Sequence, residues 1–102
     1  MSDDSKHGAQ VLRALDMLEC LTGRVVDGMS NKDLAAAMRC PPPYVTRTAA
    51  VLMGKGWVEK DPATARFRIT TRFGRLTFRV MADFDRAKAD LESVQRNYTL
   101  TN

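Results

Sequence analysis

Apolar residues along this chain recur first at helical steps, then by alternation, then at helical steps again. Val11, Leu15 and Leu18, joined by Ala14 and Leu21, return every three or four residues. That spacing predicts an amphipathic helix from Ala9 to Leu21, with Arg13, Asp16 and Glu19 on or beside its other face. Gly23, just past the last apolar position, is a stop signal. After a loop from Arg24 to Met29, Ser30 fits an N-cap with Asp33 as its capping-box partner. A short helix, Asn31 to Met38, is then expected to send Leu34, Ala37 and Met38 into the core. Pro41-Pro42-Pro43 cannot lie inside a helix but suits a helix start. A third helix therefore begins near Pro42 or Pro43 and runs to Gly54. Val45, Ala49 and Leu52, flanked by Thr48, form its inner face. Pro43, Arg47 and Ala50 point the opposite way, with Tyr44 and Thr46 on the flanks.

Beyond Gly54-Lys55-Gly56 the period changes to two. Trp57 to Lys60 and Arg66 to Thr70 read as strands, the second with Phe67 and Ile69 inward and Arg66 and Arg68 outward. Asp61 to Ala65 is the loop between them. Helical spacing then returns in Phe73, Leu76, Val80, Phe84, Ala87, Leu91, Val94 and Tyr98, close to a heptad seam. No internal repeat or interdomain linker interrupts the chain. The expected organisation is a disordered tail at 1–7, a folded domain at 8–70 and a C-terminal helix at 71–98.

Helix, short helix, tight turn, helix and two-stranded hairpin is the order of a winged helix-turn-helix. The fold class is thus mainly α with a small β-hairpin, followed by a long C-terminal helix. In such a fold the second helix of the pair enters the DNA major groove. It needs one apolar face for docking and an opposite face carrying donors, and the segment 43–54 has both. Arg47 is the leading candidate for a base contact, because its fork matches the two acceptors of guanine. Pro43, Tyr44 and Thr46 share that surface. Lys60, Arg66 and Arg68 on the hairpin are the candidates for flanking DNA.

Charge sharpens this picture. The net +4 of the 102 residues is uneven: residues 39–79 hold 9 basic and 2 acidic side chains, while 1–38 hold 4 and 6, and 80–102 hold 3 and 4. A basic middle between mildly acidic ends suits a polyanion. Other features narrow the field. No apolar run is long enough to span a bilayer, and the acidic start lacks a secretory layout, so the expected location is the cytoplasm without membrane partners. Cys20, Cys40 and the single histidine, His7, cannot supply four zinc ligands, so no metal or other cofactor is expected. Neither a nucleophile signature nor a glycine-rich phosphate loop is present, and the chain is not expected to be an enzyme.

From Val11 to Ile69 the chain resembles the N-terminal DNA-binding domain of the IclR family of transcription regulators. The resemblance lies in "VLRALDMLECL", "MSNKDLAAAM" and "PPPYVTRTAAVLMGKGWVEKDPATARFRI", of which "GWVEKDPATARFRI" is the most specific. It implies double-stranded DNA as partner and a role in transcription regulation. Pro43-Tyr44 stands where the family usually has a small polar pair, which implies a different DNA sequence. Arg39 and Ala65 stand where glycine is common. The family's effector-binding domain has no counterpart in these 102 residues, so no small-molecule effector is expected.

The rival class is a winged-helix adaptor that grips a protein instead of DNA. Val51, Ala50 and the prolines favour it; Arg47 and the basic segment oppose it. RNA binding would call for stacking aromatics on the strands, whereas Trp57 and Phe67 read as core. The seam from Val80 through Phe84, Ala87, Leu91 and Val94 to Tyr98 is expected to join two copies as a homodimer.

Overall fold

The computed structural model describes residues 2–100, with side chains from residue 8 onward. Its elements are α1 (Ser2–Thr22), α2 (Asn31–Met38), α3 (Pro42–Gly54), β1 (Val58–Lys60), β2 (Phe67–Ile69) and α4 (Thr71–Leu100). This is a winged helix-turn-helix with a long C-terminal helix. The chain divides into one unit that ends at Arg72 and another that starts at Phe73. Of the segment 1–7, Met1 lies outside the described residues and 2–7 form the start of α1. Periodicity misses this start because Ser2 to Lys6 contain no apolar residue to carry it.

In the first unit the core gathers Met17 and Leu21 of α1, Leu34 of α2, Val45, Ala49 and Leu52 of α3, and Val58 and Phe67 of the strands. Ala14, Leu18 and Cys20 pack against it. The buried stripe of α1 is thus rotated from the expected one. Val11 and Leu15 are more than half exposed, as is Leu12, and Met17 takes the central place. In α2, Leu34 is buried with Ala35 and Met38 packed beside it, whereas Ala37 is exposed. The α3 face is as expected, with Val45, Thr48, Ala49 and Leu52 buried.

The capping box at Ser30 forms in full: Ser30 Oγ accepts from the Asp33 amide at 3.1 Å, and Asp33 Oδ2 accepts from the Ser30 amide at 3.4 Å. The α2–α3 turn passes through Arg39 in the left-handed region, φ 55° and ψ 48°. Ala65 in the wing loop is left-handed as well, at φ 60°. Among the described residues these are the two that carry a Cβ at positive φ. That conformation costs a residue with a Cβ roughly 1–2 kcal/mol, and the entropy of an unfolded glycine takes back part of the gain. Arg39→Gly and Ala65→Gly should therefore each stabilise the domain, by up to about 1 kcal/mol. Thermal melts of each variant beside the parent check this; a lower Tm would mean that the lost side chain contributes more than the relieved strain.

The hairpin is antiparallel, pairing Val58 with Ile69, Glu59 with Arg68 and Lys60 with Phe67. A further bridge joins Phe67 to Met29, whose amides and carbonyls bond both ways at 2.8 and 2.9 Å. Through this single bridge the loop before α2 is tied to β2, and the wing is stitched to the helical part. α4 buries none of its residues. Phe84, Leu91 and Tyr98 on its stripe are each about two-thirds exposed or more.

Candidate nucleic-acid interface

α3 keeps Pro43, Tyr44, Arg47 and Ala50 on its exposed side, opposite the buried stripe. Its start is unusual. Pro41 is the N-cap and makes no side-chain cap, Pro42 and Pro43 have no amide hydrogen, and the Tyr44 amide donates to Pro41 O at 3.0 Å. Helix N-termini ordinarily offer free amides to an anion. Here none of these four positions has one to give, so any anion at this end must be met by side chains.

Those side chains converge on Tyr44. The Arg47 guanidinium lies 4.9 Å from the ring centroid, and the guanidinium of Arg13, from α1, lies 4.4 Å from it. Both separations are within cation–π range. Neither arginine has an ion pair or hydrogen bond among the described residues. Thr46 is differently placed. Its hydroxyl accepts from Asn31 Nδ2 at 2.9 Å and donates to Pro42 O at 3.3 Å. Asn31 Nδ2 also donates to Pro42 O. These bonds fasten the first turn of α3 to the start of α2 and fix the angle at which α3 is presented.

The wing arginines are likewise committed to protein oxygens. Arg66 donates to the carbonyls of Asp27 and Gly28 at 3.1 and 3.2 Å and lies 3.5 Å from Asp33 Oδ2. Arg68 pairs with Asp61 at 3.5 Å. Asp61 in turn organises the wing loop, its Oδ1 accepting from the amides of Ala63 and Thr64. Lys60 is exposed, its ammonium 5.6 Å from the centroid of the Phe67 ring.

A family model described as the IclR helix-turn-helix domain matches residues 10–62. The chain belongs to the IclR helix-turn-helix family. It is therefore a member of a DNA-binding regulator family. Comparison with curated proteins and with solved structures gave no match. The matched segment of this IclR domain runs from α1 through β1 into the wing loop, and it includes Arg13, Tyr44 and Arg47. Arg66 and Arg68 lie beyond it.

Of the residues that the sequence nominates, the IclR domain brings Pro43, Tyr44 and Arg47 together on one exposed surface and leaves Lys60 exposed on the wing. It turns Thr46, Arg66 and Arg68 to internal bonds. Arg13 is the residue that sequence reasoning misses. It flanks the buried stripe once Met17, and not Val11, is taken as the centre of that stripe, and this is the signal that could have found it. Cys20 is half-buried, and its thiol is pushed above the ordinary value by burial and then by Asp16 and Glu19. Such a thiol stays protonated near neutral pH, as suits a structural residue.

Two carboxylates are expected to tie the domain's stability to pH in the acid range. Asp61 is held below the ordinary carboxylate value by the Ala63 and Thr64 amides, helped by Arg68. Asp33 is lowered by its bonds to Ser30, helped by Arg66. Their folded values lie below the unfolded ones. Their contribution is therefore full above the usual carboxylate range of about 4 and fades as pH falls through the folded values. Melting temperature measured down the acid range should fall less steeply in Asp61→Asn than in the parent. Parallel curves would mean that the wing loop does not depend on this charge.

Proposed function

We propose that this chain is a sequence-specific, double-stranded-DNA-binding transcription regulator. α3 lies in the major groove, the wing tracks flanking DNA, and two copies join through α4. The observation that carries the reading is Arg47: an exposed guanidinium without a carboxylate partner among the described residues, on the side of α3 opposite its buried face. Tyr44 and Pro43 share the groove-facing surface, and Lys60 supplies a flanking phosphate contact. Thr46, Arg66 and Arg68 serve DNA binding by fixing α3 and the wing in place. The regulator works beside the DNA in the cytoplasm and needs no cofactor or catalytic step. Selection of bound duplexes from a random pool tests this: a shared sequence motif among the survivors is expected, and recovery without any motif would sink sequence specificity.

The homodimer rests on the α4 stripe of Val80, Phe84, Ala87, Leu91, Val94 and Tyr98, all exposed at near-heptad spacing. Two domains reading half-sites also multiply specificity. Sedimentation should give a dimer for the whole chain and a monomer after truncation at Arg79. A monomeric whole chain at micromolar concentration, or a dimeric truncation, would remove α4 from the interface. Val51, 59% exposed on α3, favours the adaptor reading. Retention on heparin with steep salt elution is the result that DNA binding predicts and an apolar adaptor does not.

A further inference from the structure

We propose that Arg13 belongs to the DNA-reading surface: its guanidinium takes a backbone phosphate beside α3 and, through the Tyr44 ring, positions Arg47 over the base edges. This rests on the DNA-binding reading above and deepens it. The arginines of the first unit differ in what surrounds them. Arg66, Arg68 and Arg72 each have a carbonyl or carboxylate oxygen within 3.5 Å. Arg13 and Arg47, like Arg24 and Arg39, have no such oxygen among the described residues, but these two share the face of Tyr44. Arg13 Nε is buried yet has no hydrogen-bond partner among the described residues. A buried donor without an acceptor is costly, and a shift of the side chain on binding would bring it to a phosphate oxygen at the rim.

The chemistry of the stack points the same way. A guanidinium lying on a ring keeps its N–H edge free in the plane, where it can meet an anion. Two cations gathered around one ring with no carboxylate between them repel each other, and a bound anion relieves that repulsion. The proline run removes the amides that would otherwise receive a phosphate at the start of α3. Arg13 reaches this place from another helix, so its position is set by the core that α1 and α3 share through Met17, Leu21, Val45 and Ala49. It is thus a fixed reference against which the Tyr44 ring, and with it Arg47, is held.

The experiment uses the full chain, a duplex selected from a random pool, and a scrambled duplex of equal composition. Affinity is measured across a salt series for the parent, Arg13→Gln, Arg13→Lys, Tyr44→Phe and Tyr44→Leu, after thermal melts of each. Arg13→Gln should weaken binding to both duplexes and lower the salt slope by about one, the signature of one lost phosphate contact. Arg13→Lys keeps the charge but not the flat fork. It should keep the slope and lose part of the preference for the selected duplex, and it decides the matter should Arg13→Gln fail to fold. Tyr44→Phe should keep the preference and Tyr44→Leu should lose it. A parent that binds neither duplex overturns the DNA reading and this proposal together. A parent that binds, with Arg13→Gln at full slope or Tyr44→Leu at full preference, overturns this proposal alone.

Discussion

Gly28→Ala is expected to destabilise the protein by about 2–5 kcal/mol, combining a left-handed conformation with a forced steric shift. Gly28 has φ +72°, and a Cβ built there would lie 2.4 Å from Phe67 O and 2.7 Å from Arg68 Cγ. The obstructing carbonyl cannot easily retreat. It accepts from the Met29 amide at 2.9 Å, and the Phe67 amide donates back to Met29 O at 2.8 Å. Against the 5–15 kcal/mol typical of a whole domain, such a loss is severe. Urea titration of the variant beside the parent measures it. Gly54→Ala is the control, because nothing lies within 4 Å of a Cβ added there. Should Gly28→Ala prove as harmless as the control, the wing does not dock on the Met29 segment as described.

Arg47→Ala should cost roughly 1–3 kcal/mol on the selected duplex, the usual range for one bidentate base contact, and much less on random DNA. The asymmetry matters more than the size. A phosphate contact is worth the same on any sequence, whereas a base-edge contact is worth something only where the right base waits. Equal losses on the two duplexes would assign Arg47 to the backbone and leave specificity to the other side chains of α3.

The legible parts of the sequence were those with a single strong local cause. Pro41-Pro42-Pro43 cannot lie in a helix interior but suits a first turn, so α3 starts where expected, with Val45, Ala49 and Leu52 on its buried face. Ser30 and Asp33 specify their own capping box. α1 was harder because it is apolar over more than half its circumference. Val11, Leu12 and Leu15 compete with Ala14, Met17 and Leu21, and only the packing of α2, α3 and β2 decides which stripe is buried. That ambiguity hid Arg13. The fates of Arg66 and Thr46 were hidden for another reason: their acceptors are carbonyls of Asp27, Gly28 and Pro42. Every residue has a carbonyl, so side-chain patterns do not reveal which ones a fold will present.

Trp57 is the only tryptophan in the chain. It packs against the core at the entry to the wing, and the Arg72 guanidinium lies 5.1 Å from its ring centroid while Arg72 Nη1 donates to Lys55 O. The protein therefore carries a built-in optical reporter at one defined place. Its ultraviolet emission is the signal of a single indole, with no second fluorophore of that kind to disentangle. A red shift would mark water reaching the first residue of the wing, and a change in intensity alone would mark a rearrangement around the ring, where Arg72 lies.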